Sequence, residues 1–262
     1  MIDNFSKLNI GALIKLSALP EDMDPSDRQV AVLAILSGQT PDEIERLPIQ
    51  EYMRRVVASS FLDEDLPVRI PQRSYSVGGF ELVPVRDKRK VLTAQFTDFK
   101  KYTEMAGADS VRLFTLTPEL LSCMMVPRGH LYCDDYDVLD VQTAIRDELR
   151  ADDAVALSAF FFGIMDEIVA SNPSLFPKDG TPEENESDAG ENSGLAEDAA
   201  PVDDFAARWG WISLVDTVAE TCRCSWDDVW RKPIIETLNI FAYTKDRNAR
   251  REDELEKYRK TH

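Results

Sequence analysis

The chain has 262 residues, with 48 acidic against 30 basic side chains and a formal net charge of −18. That length suits one or two domains, and 44% hydrophobic residues supply a core for at least the N-terminal part, which excludes disorder throughout. So acidic a surface repels phosphate and argues against sequence-independent nucleic-acid binding, leaving the charged run 245–260 as the one candidate.

Ser26 precedes an apolar run from Val30 to Leu36 that reads as a short buried helix stopped by Gly38. Thr40, Pro41 and Glu43 then combine an N-cap hydroxyl, a proline at the first helical position and a capping-box carboxylate three residues after the cap. Pro48 opens a further helix, in which Ile49, Tyr52, Met53, Val56, Val57 and Phe61 form one apolar face. The period changes across residues 68–85, where alternating apolar residues surround Gly78 and Gly79, with Pro67, Pro71 and Pro84 nearby. This predicts a hairpin with edge-strand prolines. Leu92, Phe96, Phe99, Tyr102 and Met105 restore helical spacing. Thr117, Pro118 and Glu119 enter a helix running from Leu120 to Val126, and Asp137 starts another through Leu149. Asp152 or Asp153 caps a very apolar helix that Pro173 and Pro177 end. Its three consecutive phenylalanines, 160 to 162, cannot all face one side.

Residues 178–204 hold ten carboxylates against one lysine, with no aromatic residue. They bury too little apolar surface to offset the entropy of ordering, so the expectation is a disordered acidic linker. Beyond it, 209–221 reads as a helix, Ser225 with Asp228 as a second capping box, and Pro233 as the start of a long helix ending in charge near Lys260. The predicted architecture is mainly α with one small β-hairpin: a helical domain over 1–177, the linker at 178–204 and a small helical module over 205–262. The most apolar stretch, 154–165, is shorter than the roughly 20 residues needed to cross a bilayer, and no basic-then-apolar leader opens the chain. The expectation is a cytoplasmic protein with no membrane partner and reduced thiols.

An internal echo links the two capping boxes. Residues 40–51 read TPDEIERLPIQE and residues 225–236 read SWDDVWRKPIIE. Without a gap, Asp42, Arg46, Pro48, Ile49 and Glu51 match Asp227, Arg231, Pro233, Ile234 and Glu236. Such agreement points either to a repeated unit of helix, capped short helix and proline-opened helix, or to the common constraints of capped turns.

Catalytic chemistry has little to stand on. The sequence holds no P-loop, no glycine-rich dinucleotide fingerprint, no HExxH and no GxSxG, and its two histidines are His130 and His262. His130, Cys133, Cys222 and Cys224 are the residue types of a zinc site, but one residue between Cys222 and Cys224 is short of the usual two to four. Asp134, Asp135, Asp137 and Asp140 do not match an EF-hand loop and read better as helix-capping acids. No catalytic residue, cofactor or metal is expected. Trp209, Trp211, Trp226 and Trp230 place every tryptophan within a short span, and with Phe241 and Tyr243 they are the candidate partner-binding residues. The alternative is that a short C-terminal module needs these large side chains for its core.

The stretch WDDVWRKPIIETLNIFAYTKDRN, with LSGQTPDEIERLPIQEYMRRVVASSFL near the start, resembles the tail assembly chaperones of long-tailed bacteriophages and prophages. The matching positions are 40–53 and 225–243, each a capped acidic short helix, a proline joint and an apolar helix. The segment AQFTDFKKYTEM and residues 124–162 resemble the versions in phages of gut Bacteroidetes. The resemblance implies a non-catalytic protein that coats the tape-measure protein in the host bacterial cytoplasm during tail assembly and is absent from the mature particle. The tail-tube protein is a second implied partner, recruited in that family by a longer, often frameshifted form. The hairpin and the in-frame linker depart from the family's small all-helical form. The alternative function is a structural virion or adaptor protein retained in its complex.

Overall fold

The computed structural model describes residues 1–65, 67, 69–132, 136–176 and 204–261, with side chains from 210 to 260 in the last stretch. The described chain is mainly α, with one small antiparallel sheet. In chain order its helices are α1 (Ile10–Ser17), α2 (Pro25–Ser37), α3 (Pro41–Glu45) and α4 (Ile49–Ser59), followed by strands β1 (Tyr75–Val77) and β2 (Phe80–Pro84). Then come α5 (Thr93–Ala106), α6 (Ser110–Thr115), α7 (Thr117–Met124), strand β3 (Met125–Pro127), α8 (Val138–Glu148) and α9 (Ala151–Ala170). The last helices are α10 (Asp204–Cys222), α11 (Trp226–Trp230) and α12 (Ile234–Thr261). Contacts group these into two compact units, Met1–Arg86 with Ala94–Ile164, and Asp87–Thr93 with Met165–His262. Apart from Asp204, the linker expected at 178–204 lies outside the described residues, as do Val68, Cys133, Asp134, Asp135 and His262.

In the first unit the hairpin forms where the glycine pair predicts it. Gly78 and Gly79 take φ of 54° and 78°, the left-handed turn that right-twisted strands require, and the register pairs Tyr75 with Leu82 and Val77 with Phe80. Gly78 has a second constraint: a Cβ there would lie 2.3 Å from that of Ala144, because the turn is pressed onto α8, where Glu148 accepts its N–H at 2.6 Å. The predicted hairpin is two-thirds of the sheet. Residues 125–127, expected to end a helix at Val126, leave α7 as β3 and pair with β2, so Pro84 sits on the central strand rather than at an edge. That edge of β2 would otherwise expose unpaired backbone, and Val85 continues the pairing by donating to Met124 O at 2.9 Å. Around the sheet, Phe96, Phe99, Leu120, Leu121, Met124, Ile145 and Phe161 are fully buried, each such side chain contributing about 1.5–3 kcal/mol. Of the three consecutive phenylalanines only Phe161 is fully buried; Phe162 meets the edge of Phe99 at 5.2 Å.

Both echo segments fold as capped corners, and their likeness reaches well upstream of the matched sequence. α2 ends at Gly38 with φ 66°, and α10 ends, at the equivalent residue, on Arg223 with φ 55°. Gln39 N–H then donates to Ala34 O at 3.2 Å, and Cys224 N–H to Ala219 O at 3.1 Å, the same closing bond of a left-handed helix end. Thr40 and Ser225 each complete a capping box, with Glu43 and Asp228 as the returning carboxylates. The inward residues correspond too: Leu33, Ala34 and Ile44 in the first unit, and Val218, Ala219 and Val229 in the second, are all buried. Shared capping chemistry accounts for the turns alone. It does not account for a matched helix exit and matched inward residues, so the corner is a repeated unit.

Candidate partner-binding surfaces

In the second unit, the core at the corner is aliphatic. Leu214, Val215, Val218 and Ala219 from α10 meet Val229 of α11 and Ile234 and Leu238 of α12. No described tryptophan is fully buried, because the small inward residues of α10 let its neighbours close against it without an aromatic filler. Trp211 is half-buried, its ring 6.4 Å from Phe176. Trp226 is 45% exposed, and its indole N–H donates to Asp216 Oδ1 at 3.1 Å, which fixes the ring on the outside of α11. Trp230, one turn on along the same face, is half-buried. On α12, Phe241 is half-buried while Tyr243 is 62% exposed, with the Arg247 guanidinium 5.8 Å from its ring centre. Two residues apart on a helix, Phe241 and Tyr243 point to different sides. The side chain of Trp209 lies outside the described set. Of the predicted aromatic group the structure thus aligns Trp226 with Trp230 and spreads the others over α10 and α12.

The electrostatics of this corner are local. Ser225 donates to the Asp228 carboxylate at 2.7 Å and holds it below the usual carboxylate range. Glu236 accepts from Lys232 at 3.2 Å and raises the ammonium pKa. Cys222 is exposed and Cys224 half-buried, both as free thiols. Among the described residues, no group of three or more His, Cys, Asp or Glu side chains is arranged to hold a metal ion.

The proline joint of this corner is covered by chain from Asp87–Thr93, within the same unit. Ile234 N–H donates to Val91 O and Thr93 N–H to Lys232 O, both at 2.8 Å, making Leu92 and Pro233 an antiparallel bridge pair. In this pair the hydrogen bonds fall on the flanking residues, so the missing N–H of Pro233 costs nothing. The Thr93 hydroxyl reaches Lys232 O at 3.0 Å and the Thr237 hydroxyl at 2.8 Å, and Val91, Thr93 and Thr237 are buried with Ile234 and Leu238.

Among the described residues the first unit lacks such a cover. Sequence spacing puts Ile49, Tyr52, Met53, Val56, Val57 and Phe61 on one apolar face, and the structure divides that face in two. Tyr52 and Val56 pack on Leu33, Ala34 and Ile44, and Phe61 is buried against Leu8 and Leu36. Ile49, Met53 and Val57 are 72%, 51% and 71% exposed, a stripe along α4 at four-residue steps. A six-residue face is wider than one neighbouring helix can bury, which is the signal the spacing carried. Pro48 is exposed as well, and among the described residues Ile49 N–H and Leu47 O have no backbone partner.

Two buried polar clusters in the first unit are structural in character. Tyr132 donates to Asp98 at 2.7 Å, and burial drives its hydroxyl pKa far above the normal value. At the start of α9, Arg150 clasps Asp152 through two nitrogens at 3.1 and 2.7 Å, and Arg69 pairs with the same carboxylate at Oδ2. Burial, and then the Asp152 charge, raise the neighbouring Asp153 carboxyl. Neither aspartate is the N-cap of this apolar helix; both lie in its first turn. Asp137 does cap α8, accepting from Leu139 N–H at 2.8 Å. His130 meets the Tyr136 ring at 5.8 Å, and Cys133, its expected companion, lies outside the described residues.

Among the described residues no helix is long and apolar enough to cross a membrane. Comparisons with protein-family models, with curated proteins and with solved structures find no match to this chain.

Proposed function

We propose that this chain is a non-catalytic tail assembly chaperone, acting in the bacterial host cytoplasm, that binds the tape-measure protein and hands it to the tail-tube protein. The observation that carries the reading is the placement of aromatic side chains in the second unit. Its corner core is aliphatic, so Trp226 and Tyr243 are free to meet a partner without unfolding the module. Large amphipathic rings of this kind supply most of the energy at helix-binding surfaces while a charged exterior keeps the free chain soluble. The acidic stretch 178–204 adds net charge between the two corners, and a tether of that composition raises the local concentration of one binding module once the other is engaged.

Co-expression with the long helical protein encoded next downstream tests this. The expected result is a soluble complex that Trp226→Ala with Tyr243→Ala disrupts while the unfolding curve of the chain stays unchanged. Recovery of this chain from mature particles by mass spectrometry would contradict the chaperone reading and favour a structural virion protein.

A further inference from the structure

At Val57 the open stripe of α4 reaches a groove on the surface of the first unit. Leu13, Leu16 and Leu19 in and just beyond α1, Val32 on α2, and Val56 and Val57 on α4 line a volume of about 640 Å³. α2 packs against both α1 and α4, so it forms the floor and those two helices form the walls. Leu13, Leu16 and Val32 are half-buried, resting on the core around Leu8, Leu36 and Phe61 while one side of each stays open. Carboxylates surround this apolar lining. Asp63 lines the groove and is followed by Glu64 and Asp65, and the turn joining the lining residues Leu19 and Pro25 carries Glu21, Asp22 and Asp24. All six are exposed, and among the described residues none pairs with a lysine or arginine. One base lines the groove, Arg28, and its guanidinium donates to Pro20 O at 2.8 Å. Arg54 and Arg55 of α4 are not part of the lining and share Glu51.

We propose that this groove is the docking site of a basic amphipathic helix from a partner protein. A helical floor between two helical walls receives the ridge of one more helix, and the exposed apolar side chains gain from being covered by it. The run from Leu13 to Leu19 is about 9 Å long, so the contact takes about two turns of the partner, with apolar residues at i, i+3, i+4 and i+7. Charge selects the rest of its sequence. Lysine or arginine beside that apolar ridge meets Asp63, Glu64 and the acidic turn over 21–24, whereas an acidic helix of the same shape is repelled. The stretch 178–203 of this chain is a poor occupant for that reason, since its own carboxylates outnumber its single lysine. A second copy's charged run over 245–260 is a poor occupant for another: it mixes both signs and offers only Leu255 and Tyr258 as large apolar side chains. The site rests on the first unit alone and is independent of any role in tail assembly.

Fluorescence anisotropy of a labelled helical peptide, two repeats of Leu-Lys-Lys-Leu-Leu-Lys-Lys, titrated with the full chain tests it. The expected result is saturable one-to-one binding, weakened about tenfold or more by Val57→Lys and, separately, by Asp63→Lys with Glu64→Lys. The matching peptide with glutamate in place of every lysine should not bind. Val57→Lys puts a cation near the C-terminal end of α4, where it suits the helix dipole, and is to show an unchanged unfolding curve. If that curve shifts, the exposed pair at 63 and 64 decides alone. Absence of saturation at millimolar protein, or equal binding of the glutamate peptide, overturns the proposal. Binding indifferent to the groove variants, as attraction to the acidic stretch 178–203 alone would give, overturns it too. Self-association of the free chain that Val57→Lys abolishes overturns it in favour of a second copy.

Discussion

The two capped corners begin from nearly the same chemistry and end in different states. Each has a left-handed helix exit, a hydroxyl cap with a returning carboxylate, a buried aliphatic residue in the short helix and a proline that opens the next helix. Up to that proline the helix exits, caps and inward residues correspond, while the outward residues differ, Pro41 against Trp226 and Glu45 against Trp230. Past it, one isoleucine lies under a paired strand and the other faces solvent. The lesson is that local chemistry fixes the corner, whereas the fate of its outer face depends on which distant segment arrives. Only the second corner has one among the described residues.

Aspartate substitution at the matched isoleucines breaks this comparison most sharply. Both positions open a helix, where a negative charge is mildly favourable, so the dipole term is the same and only burial differs. Ile234→Asp should cost at least about 3 kcal/mol, since it buries a charge without a partner, while Ile49→Asp should fall within about 0.5 kcal/mol of the parent. Urea denaturation of the full chain reads both, and equal losses would mean the two faces are equally packed. Leu238→Ala and Met53→Ala should follow in the same order, about 2–5 kcal/mol against a few tenths.

The helix exits give a smaller and opposite contrast. Gly38→Ala places a Cβ in open space but at φ 66°, and should cost about 1 kcal/mol. Arg223→Gly relieves a side chain at φ 55° and should gain less than that, because glycine also loosens the unfolded chain. A loss in the second variant would mean the Arg223 side chain makes a contact that outweighs its backbone strain.

Capping is where the corners should behave alike, with Thr40→Ala and Ser225→Ala each costing about 1 kcal/mol. In the second corner the cap also carries a pH signature. The Asp228 carboxyl sits below its ordinary value of 3.8, so its stabilisation is complete above that pH and is lost as pH falls through the lowered folded value. Ser225→Ala should flatten that acid limb. Thermal melts at falling pH check it, and an unchanged limb would assign the acid sensitivity to other carboxylates.

Features set by near neighbours were legible in the sequence. Both capping boxes, the Gly38 stop and the Gly78–Gly79 turn follow from bonds closed within a few residues, and each forms as its local pattern requires. α2 starts at Pro25, ahead of the apolar run that marks it and of Ser26, because Asp24 accepts the free N–H of Ser26. Features set at long range were not legible. α1 went unseen, and β3 was absorbed into an apolar run whose helical end it interrupts, because pairing with β2 outweighs the continuation of α7. The width of the α4 face was visible in its spacing. Its division into packed and open halves depends on α2 and α3 covering one side only. For the tryptophans, composition left both a core and a surface role open, with the core the ordinary expectation for so short a module. Small inward residues on α10 decided in favour of an aliphatic centre with Trp226 outside it.

Backbone hydrogen exchange at two amides tests the central claim most directly. In the free chain, Ile234 N–H donates to Val91 O and should exchange only when the second unit opens. Ile49 N–H has no such acceptor among the described residues and should exchange near the rate of an unprotected helix end. Comparable protection at both amides, or an Ile234 amide that exchanges as fast as Ile49, would contradict the account of one covered corner and one open corner.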